Sequence, residues 1–438
     1  MMAARHASVL LVRKGTAAKR KLWLCWKGWS EMDFESLSEK LRRMGVQIGV
    51  QKPLDTKKAR KPIETVVPGR EYPTNFGSLF SLAHTYPQGY LHGQQPVLPK
   101  RPINGLARWS RVPELEQKNL DQFIFLDTET TGLSGGTGTM AFMVGVARFR
   151  GETLALEQFF LRSPAEEAAL LAGLEEFCNG MAAVVTYNGK SFDIPILNTR
   201  YILQGFTSPF ESLPHLDLLH LTRRIWRARL EQCNLGNIEQ QILLLHRDGD
   251  EVPGYLVPEY YAQYLRDGDA EPLRGIFYHN EQDVLSLAAL FALFTDMLEA
   301  PTAWENSSAQ DLAALGRLLE HMGEVEGAVN LYQKSAQAAD STSTKLEPLL
   351  AQAKLHKRHG EYSRALPLWE LASEDGSLEA LEELAKYYEH SARQLEKALD
   401  YTNQALRLLE TNPDSDEFVR EFLHRQKRLA AKLQRRQA

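Results

Sequence analysis

No stretch of this 438-residue chain is apolar for long enough to span a bilayer. The opening run Ala7-Ser-Val-Leu-Leu-Val12 falls far short of the ~20 apolar residues a crossing helix needs. No signal-peptide pattern is present either, so a cytoplasmic location without membrane attachment is expected. Cysteine is scarce: Cys25, Cys178 and Cys233 are scattered, and none stands in CxxC spacing. That argues against a disulfide framework or a zinc cluster and fits a reducing compartment. Charge of one sign is lacking too. A net charge of -5 gives no global basic field, so affinity for nucleic acid has to come from local patches. What remains is 43% apolar and 24% charged, the composition of a globular protein, and too long for one ordinary core. Two or three domains are expected.

One basic patch lies at the start. Residues 1–62 hold fifteen Lys/Arg against five Asp/Glu, with Trp23, Trp26 and Trp29 interleaved among the charges. This composition suits a nucleic-acid-binding arm, and equally a solvated, partly disordered leader. Residues 63–120, rich in Pro, Gly and Tyr, read as an irregular lead-in with short helices.

From 121 to 298 the pattern changes. Apolar strand-like runs at Phe123–Leu126, Met140–Phe149 and Ala155–Leu161 come first, the last two joined by the turn Arg150-Gly151-Glu152. Ser163-Pro164 followed by Glu166 and Glu167 marks a helix start, with apolar spacing through Phe177. Ala183–Tyr187 is a further short strand, followed by Asn188-Gly189 and a helix from about Ser191. Strands in meander, then strands alternating with helices, predict an α/β domain around a mixed sheet flanked by helices.

Beyond 308 the chain is helical and self-similar. Leu318 through Tyr332 aligns with Leu355 through Trp369, placing Gly323 on Gly360 and Ala328 on Ala365. A third copy runs from Tyr387 through Ala398 to Tyr401. The small residues let paired helices pack closely, and a glycine ends the first helix of a pair. The pattern over 308–412 resembles a tetratricopeptide (TPR) helical-repeat array, which implies an all-α scaffold for a protein partner or a cover for the preceding α/β domain. Plain helical bundle packing is the alternative. Residues 413–438 read as a charged C-terminal helix.

The run Phe123-Ile-Phe-Leu-Asp127-Thr-Glu129 ends a buried-type strand in two acids. Residues two apart in a strand share a face, so Asp127 and Glu129 project together. Their repulsion and desolvation call for a neutraliser, and hard divalent cations such as Mg²⁺ or Mn²⁺ prefer such oxygens. A solvated acidic turn is the bland alternative. Two further acids sharpen the choice: Asp193 in Asn188-Gly-Lys190-Ser-Phe-Asp193, at the start of a helix, and Asp283 in His279-Asn-Glu-Gln-Asp283.

Asp-x-Glu, then Asn-Gly-x-x-Phe-Asp, then a late helical Asp resembles the DEDD exonucleases of the ribonuclease H-like fold. The stretches Asp127 to Thr139 and His279 to Leu287 are similar to the YprB-type bacterial branch. The resemblance implies two Mg²⁺ or Mn²⁺ ions and phosphodiester cleavage from a 3′ end, with Asp127 bridging the ions and Glu129, Asp193 and Asp283 completing their shells. Two metals about 4 Å apart stabilise the charge on attacking and leaving oxygens and lower the pKa of water.

The general base departs from the family pattern, which has His five residues or Tyr four residues before the last Asp. Here Tyr278 stands at minus five and His279 at minus four. On a continuous helix His279 lies about 40° from Asp283 and Tyr278 about 140° away. His279 would then share Asp283's face, with a near-neutral pKa suited to proton abstraction. A helix starting only at Asn280, an acceptable N-cap, would weaken that angle and keep Tyr278 in play.

Thr128, Thr130, Gly132, Asn188 and Lys190, interleaved with the acids, are candidates for contact with substrate. Gly135, Gly136 and Gly138 either admit a substrate backbone or merely connect a hairpin. Arg223, Arg224, Arg227 and Arg229 suggest a basic helix that tracks a phosphate backbone, or a solvated face. Asp217 is a candidate support for the metal site from behind its ligands. Tyr255, Tyr260, Tyr261 and Tyr264 either stack bases or pack. The sum predicts a 3′-to-5′ exonuclease of single-stranded DNA or RNA. An endonuclease using the same metals and a non-catalytic adaptor acting through the repeats are the alternatives.

Overall fold

The computed structural model describes residues 60–132, 137–247, 252–304, 307–410 and 416–437. All but the last three residues of the expected basic leader, and Gly135 and Gly136, lie outside them.

Chain order begins with α1 (Ile63–Val66), β1 (Arg70–Thr74) and β2 (Gly77–Tyr86), then a small separate ribbon of β3 (Leu91–His92) and β4 (Gln95–Pro96), and α2 (Asn104–Ser110). There follow β5 (Phe123–Thr130), β6 (Ala141–Arg150), β7 (Thr153–Phe160), α3 (Glu167–Phe177), β8 (Ala183–Thr186), α4 (Asp193–Leu203), β9 (His215–Asp217) and α5 (Leu218–Trp226). The domain closes with α6 (Leu235–Ile238), α7 (Val257–Asp267) and the 26-residue α8 (Arg274–Glu299). One mixed sheet has the order β1-β2-β7-β6-β5-β8-β9. Neighbours from β1 to β5 run antiparallel, while β5-β8 and β8-β9 are parallel.

This corrects the expectation of an irregular lead-in over 63–120, because β1 and β2 extend the sheet. Leu79, Phe80, Ser81 and Leu82 are consecutive buried residues, the pattern of a strand covered on both faces rather than one with alternating exposure. Pro73 is tolerated because β1 is the edge strand, where its missing N–H breaks no ladder.

β5 is central, paired by β6 on one side and β8 on the other. Its alternation separates two cores. Phe123 and Phe125 pack on Phe291 of α8, with ring centroids 5.3 Å apart in both pairs. Ile124 and Leu126 face the opposite core with Leu174 of α3 and Leu197 and Tyr201 of α4.

The C-terminal region is all helical: α9 (Ala309–His321), α10 (Val325–Ala338), α11 (Thr342–Arg358), α12 (Tyr362–Glu374), α13 (Leu378–His390), α14 (Leu395–Glu410) and α15 (Asp416–Gln437). Ala328, Ala365 and Ala398, the aligned small positions, are fully buried. Gly323 (φ 82°) and Gly360 (φ 75°) end α9 and α11 in the left-handed region that glycine adopts freely. After α13 the left-handed turn falls to Arg393 (φ 54°) instead. Leu312, Leu315 and Leu318 of α9 share one core with Leu221 and Ile225 of α5 and Leu287 of α8, so helical region and sheet domain are continuous.

Candidate active site

Strand parity decides where the first two acids go. Asp127 and Glu129 continue the Phe123/Phe125 side of β5, the side covered by α8. A bulge between Glu129 and Thr130 ends the regular pairing with β6 just beyond them. Asn280 of α8 reaches the acids first: its amide donates to Asp127 Oδ2 at 3.0 Å. Asn280 is itself held by Gln158 of β7, whose Nε2 donates to Asn280 Oδ1 at 2.9 Å and to the Phe277 carbonyl at 2.8 Å. The helix can come this close because residue 145 of β6 is glycine. A Cβ there would stand 2.2 Å from Asn280 Oδ1.

Asp193 opens α4 and is buried against β5. Its Oδ1 accepts from Thr128 twice, from the backbone N–H at 3.1 Å and from Oγ1 at 2.6 Å. Thr128, a candidate for substrate contact, therefore orients Asp193. The turn ahead of α4 places Asn188 at φ 65°, which asparagine tolerates. Asp217 braces that turn. Its carboxylate accepts from the backbone N–H of Asn188 at 2.8 Å and of Lys190 at 3.1 Å, and caps α5 through Leu219. Asp217 thus fixes the segment that delivers Asp193. Thr130 Oγ1 donates to the Gly132 carbonyl at 2.8 Å, tightening the exit of β5.

Asp283 lies on α8, one turn after His279. The helix starts at Arg274, so the alternative start at Asn280 is overturned; Asn280 is an interior, fully buried residue. His279 Nε2 lies 3.5 Å from Asp283 Oδ2. Tyr278, on another side of the helix, is half-buried.

A third party, unforeseen from the sequence, joins this end. Arg247 pairs with Asp283 Oδ1, and its Nη1 lies 2.9 Å from His279 Nδ1. A guanidinium only donates, so Nδ1 accepts and the ring proton sits on Nε2, facing Asp283. Behind Arg247, buried Glu239 takes Nε at 2.8 Å and Nη2 at 2.5 Å. No periodicity or spacing in the sequence marks Arg247 or Glu239.

The electrostatics record four acids pressed together. Burial pushes Asp127 well above the usual carboxylate range, and the charges of Asp283, Asp193 and Glu129 push it further, against the Asn280 hydrogen bond. Glu129 is likewise raised by burial, then by Asp283 and Asp193, with Arg247 opposing. Burial lifts Asp193 to about 6 despite its bonds from Thr128. Among the described residues no three His, Cys, Asp or Glu side chains already form an ion cage. Three of the four acids instead have a local holder: Asn280 for Asp127, Thr128 for Asp193 and Arg247 for Asp283. The donors still fit a hard divalent cation, being carboxylate oxygens whose repulsion Asn280 and Arg247 offset only in part.

Other expected groups lie apart from this chemistry. α5 ends at Trp226, so Arg223 and Arg224 are on the helix while Arg227 and Arg229 follow it. Arg229 pairs with Asp311 of α9 at 3.0 Å, bracing the helical region. Tyr261 is buried and stacked on Phe142 with centroids 4.0 Å apart, and Tyr264 packs on Phe160. Tyr260 is half-buried against the same core, and Tyr255 is exposed. No helix among the described residues is long and apolar enough to cross a membrane.

A mixed sheet carrying acids at the end of its central strand, with helices on both faces, defines a ribonuclease H-like domain, and residues 124–295 match the RNase H superfamily. The chain is 34% identical over 297 residues to the uncharacterized protein YprB of Bacillus subtilis (strain 168), covering 66% of this chain and 70% of that one. It belongs to the YprB family within that superfamily. A family B DNA polymerase from the archaeon Pyrobaculum calidifontis aligns at a TM-score of 0.30 and 17% identity, over 54% of this chain and 29% of the polymerase. That likeness is too slight to bear on function.

Proposed function

We propose that this protein is a metal-dependent 3′-to-5′ exonuclease of single-stranded nucleic acid. The superfamily supports nuclease-type chemistry with divalent metal. The observation that carries the reading is the gathering of Asp127, Glu129, Asp193 and Asp283 from three elements, the charges of Asp193 and Asp283 bearing on both Asp127 and Glu129. Asp127 and Glu129 from β5, Asp193 from α4 and Asp283 from α8 would hold two Mg²⁺ or Mn²⁺ ions. When bound, such ions neutralise developing phosphate charge and acidify water.

The chain's own residues do the rest. Asn280 and Gln158 fix the rotation of the Asp127 carboxylate, and Thr128 fixes that of Asp193. His279, on Asp283's face of α8, is the favoured general base, with Tyr278 the runner-up. In this reading Asn188 and Lys190, on the turn beside Asp193, and Gly132, at the exit of β5, would meet the substrate backbone. The helices beyond 308 serve as a TPR-like scaffold for a protein partner in this reading, and their support is the buried alanines at the aligned positions.

The test compares wild type with Asp127→Ala on labelled DNA and RNA, each with free and blocked 3′ ends, in Mn²⁺. Loss of cleavage in the variant and dependence on a free 3′ end are expected. Equal activity of both proteins would sink the metal reading, and cleavage past a blocked 3′ end would sink the exonuclease direction.

A further inference from the structure

Arg247 sits on two of the groups that the proposed reaction needs. One side of its guanidinium pairs with Asp283 and bonds His279; the other is anchored in the protein. The anchor is Glu239, which is 1% exposed and accepts two guanidinium nitrogens. Glu239 Oε1 also accepts from Ser286 Oγ at 2.5 Å, and Ser286 Oγ lies 2.7 Å from buried His92 Nε2. Glu239 is therefore the fixed end of the arrangement. Asp283 and His279 lie toward the candidate site, with side chains 15% and 23% exposed.

We propose that Arg247 is a built-in cation that competes with the divalent metal for Asp283, so that metal entry must push the guanidinium back onto Glu239. This inference rests on the metal-dependent reading of the site. A divalent ion held by Asp283 would share that carboxylate with the Arg247 guanidinium, and two cations on one carboxylate disfavour each other. Glu239 keeps the displaced guanidinium neutralised, so the displacement does not strand a buried charge.

The same contact holds His279 idle. While Arg247 donates to Nδ1, the ring proton stays on Nε2, and that nitrogen is a donor rather than a base. Withdrawal of Arg247 lets the proton pass to Nδ1 and opens the Nε2 lone pair toward Asp283's side. One side chain thereby ties metal entry to readiness of the base.

The experiment measures Mn²⁺ binding without substrate, from the electron paramagnetic resonance signal of free Mn²⁺. It uses wild type, Arg247→Met, Glu239→Gln and Asp127→Ala, with circular dichroism melts on each. Arg247→Met keeps the apolar stem and removes the charge; its Mn²⁺ affinity is expected to rise at least about fivefold. Glu239→Gln weakens the anchor, throws the guanidinium more fully onto Asp283, and is expected to weaken Mn²⁺ binding. A folded Arg247→Met that binds Mn²⁺ as wild type does, or less tightly, overturns the inference. Should that variant fail to fold, Glu239→Gln decides alone, and unchanged or tighter binding overturns it. Wild-type binding that survives Asp127→Ala overturns the metal reading itself, and this inference with it.

Discussion

Asn280 of the last catalytic-domain helix donates its side-chain amide to the Asp127 carboxylate of the central strand, 3.0 Å away and 153 positions apart in the chain. The bond uses one oxygen of Asp127 and leaves the other outside it. Asn280 cannot turn away, because Gln158 holds its carbonyl. Partners of metal-binding carboxylates commonly set affinity by fixing the ligand's orientation. Asn280→Ala is therefore expected to weaken Mn²⁺ binding and cleavage by about 10- to 100-fold. Titration of Mn²⁺ and single-turnover cleavage check it, and an unchanged affinity would count against the orienting role.

Gly145 is expected to tolerate no side chain. Its Cβ would sit 2.2 Å from Asn280 Oδ1 and 2.8 Å from Asn280 Cγ, and both belong to a fully buried residue pinned at either end. Gly145→Ala must push α8 away from β6. Overpacking of this kind costs about 1–3 kcal/mol. Cleavage should fall more steeply than stability, because the displaced helix also carries His279 and Asp283. A chemical melt alongside the rate separates the two effects, and a variant with lost stability but full activity would refute the argument.

The acids were legible in the sequence because their signal is local. The period of two in Phe123 to Glu129 fixes which residues share a face, and the 3.6-residue period around Asp283 does the same for His279. The helical C-terminal region was legible through small residues recurring 37 and then 33 positions apart, Ala328, Ala365 and Ala398, all fully buried. What stayed hidden depends on contacts distant in sequence. β2 has no alternation, because both its faces are covered, so Leu79 to Leu82 reads as an unplaced apolar run. Arg247 stands in a loop, and its meaning comes entirely from Glu239, His279 and Asp283. Asn280 suits an N-cap by residue type, yet α8 begins six residues earlier, packed onto the sheet.

The acid cluster makes a prediction about pH. Burial and mutual charge hold Asp127 and Glu129 well above the ordinary range and Asp193 at about 6 in the folded, metal-free protein. The unfolded chain releases these protons near pH 4. A raised folded pKa contributes stability that is complete below the unfolded value and is lost as pH rises through the folded one. In chelator, the contribution of Asp193 should therefore decline between pH 4 and pH 6. Asp193→Asn should flatten that part of the profile. Mn²⁺ at pH 7 should raise the melting temperature of wild type but not of Asp127→Ala. Melts by circular dichroism across this range, with and without Mn²⁺, test both statements.

Glu389 makes the opposite prediction at the other end of the chain. Its carboxylate is buried in α13, where burial alone would raise its pKa. Arg428 and Lys432 of α15 outweigh burial, each bonding it at 2.7 Å, and lower the pKa to about 2. Arg425 adds a third charge at 3.4 Å. A depressed folded pKa contributes stability above the unfolded value, near 4.3, and loses it as pH falls toward the folded one. The contact with α15 should thus weaken between pH 4 and pH 2. At neutral pH Glu389→Gln should cost about 2–3 kcal/mol, since it leaves three cations facing a neutral amide. Phe422 and Leu429 keep α15 partly docked through apolar contact. The expected signature is therefore local. Amide exchange in 416–437 should accelerate while α8 and the strands keep their protection. Uniform acceleration through the sheet would show instead that Glu389 supports the whole fold rather than the docking of one helix.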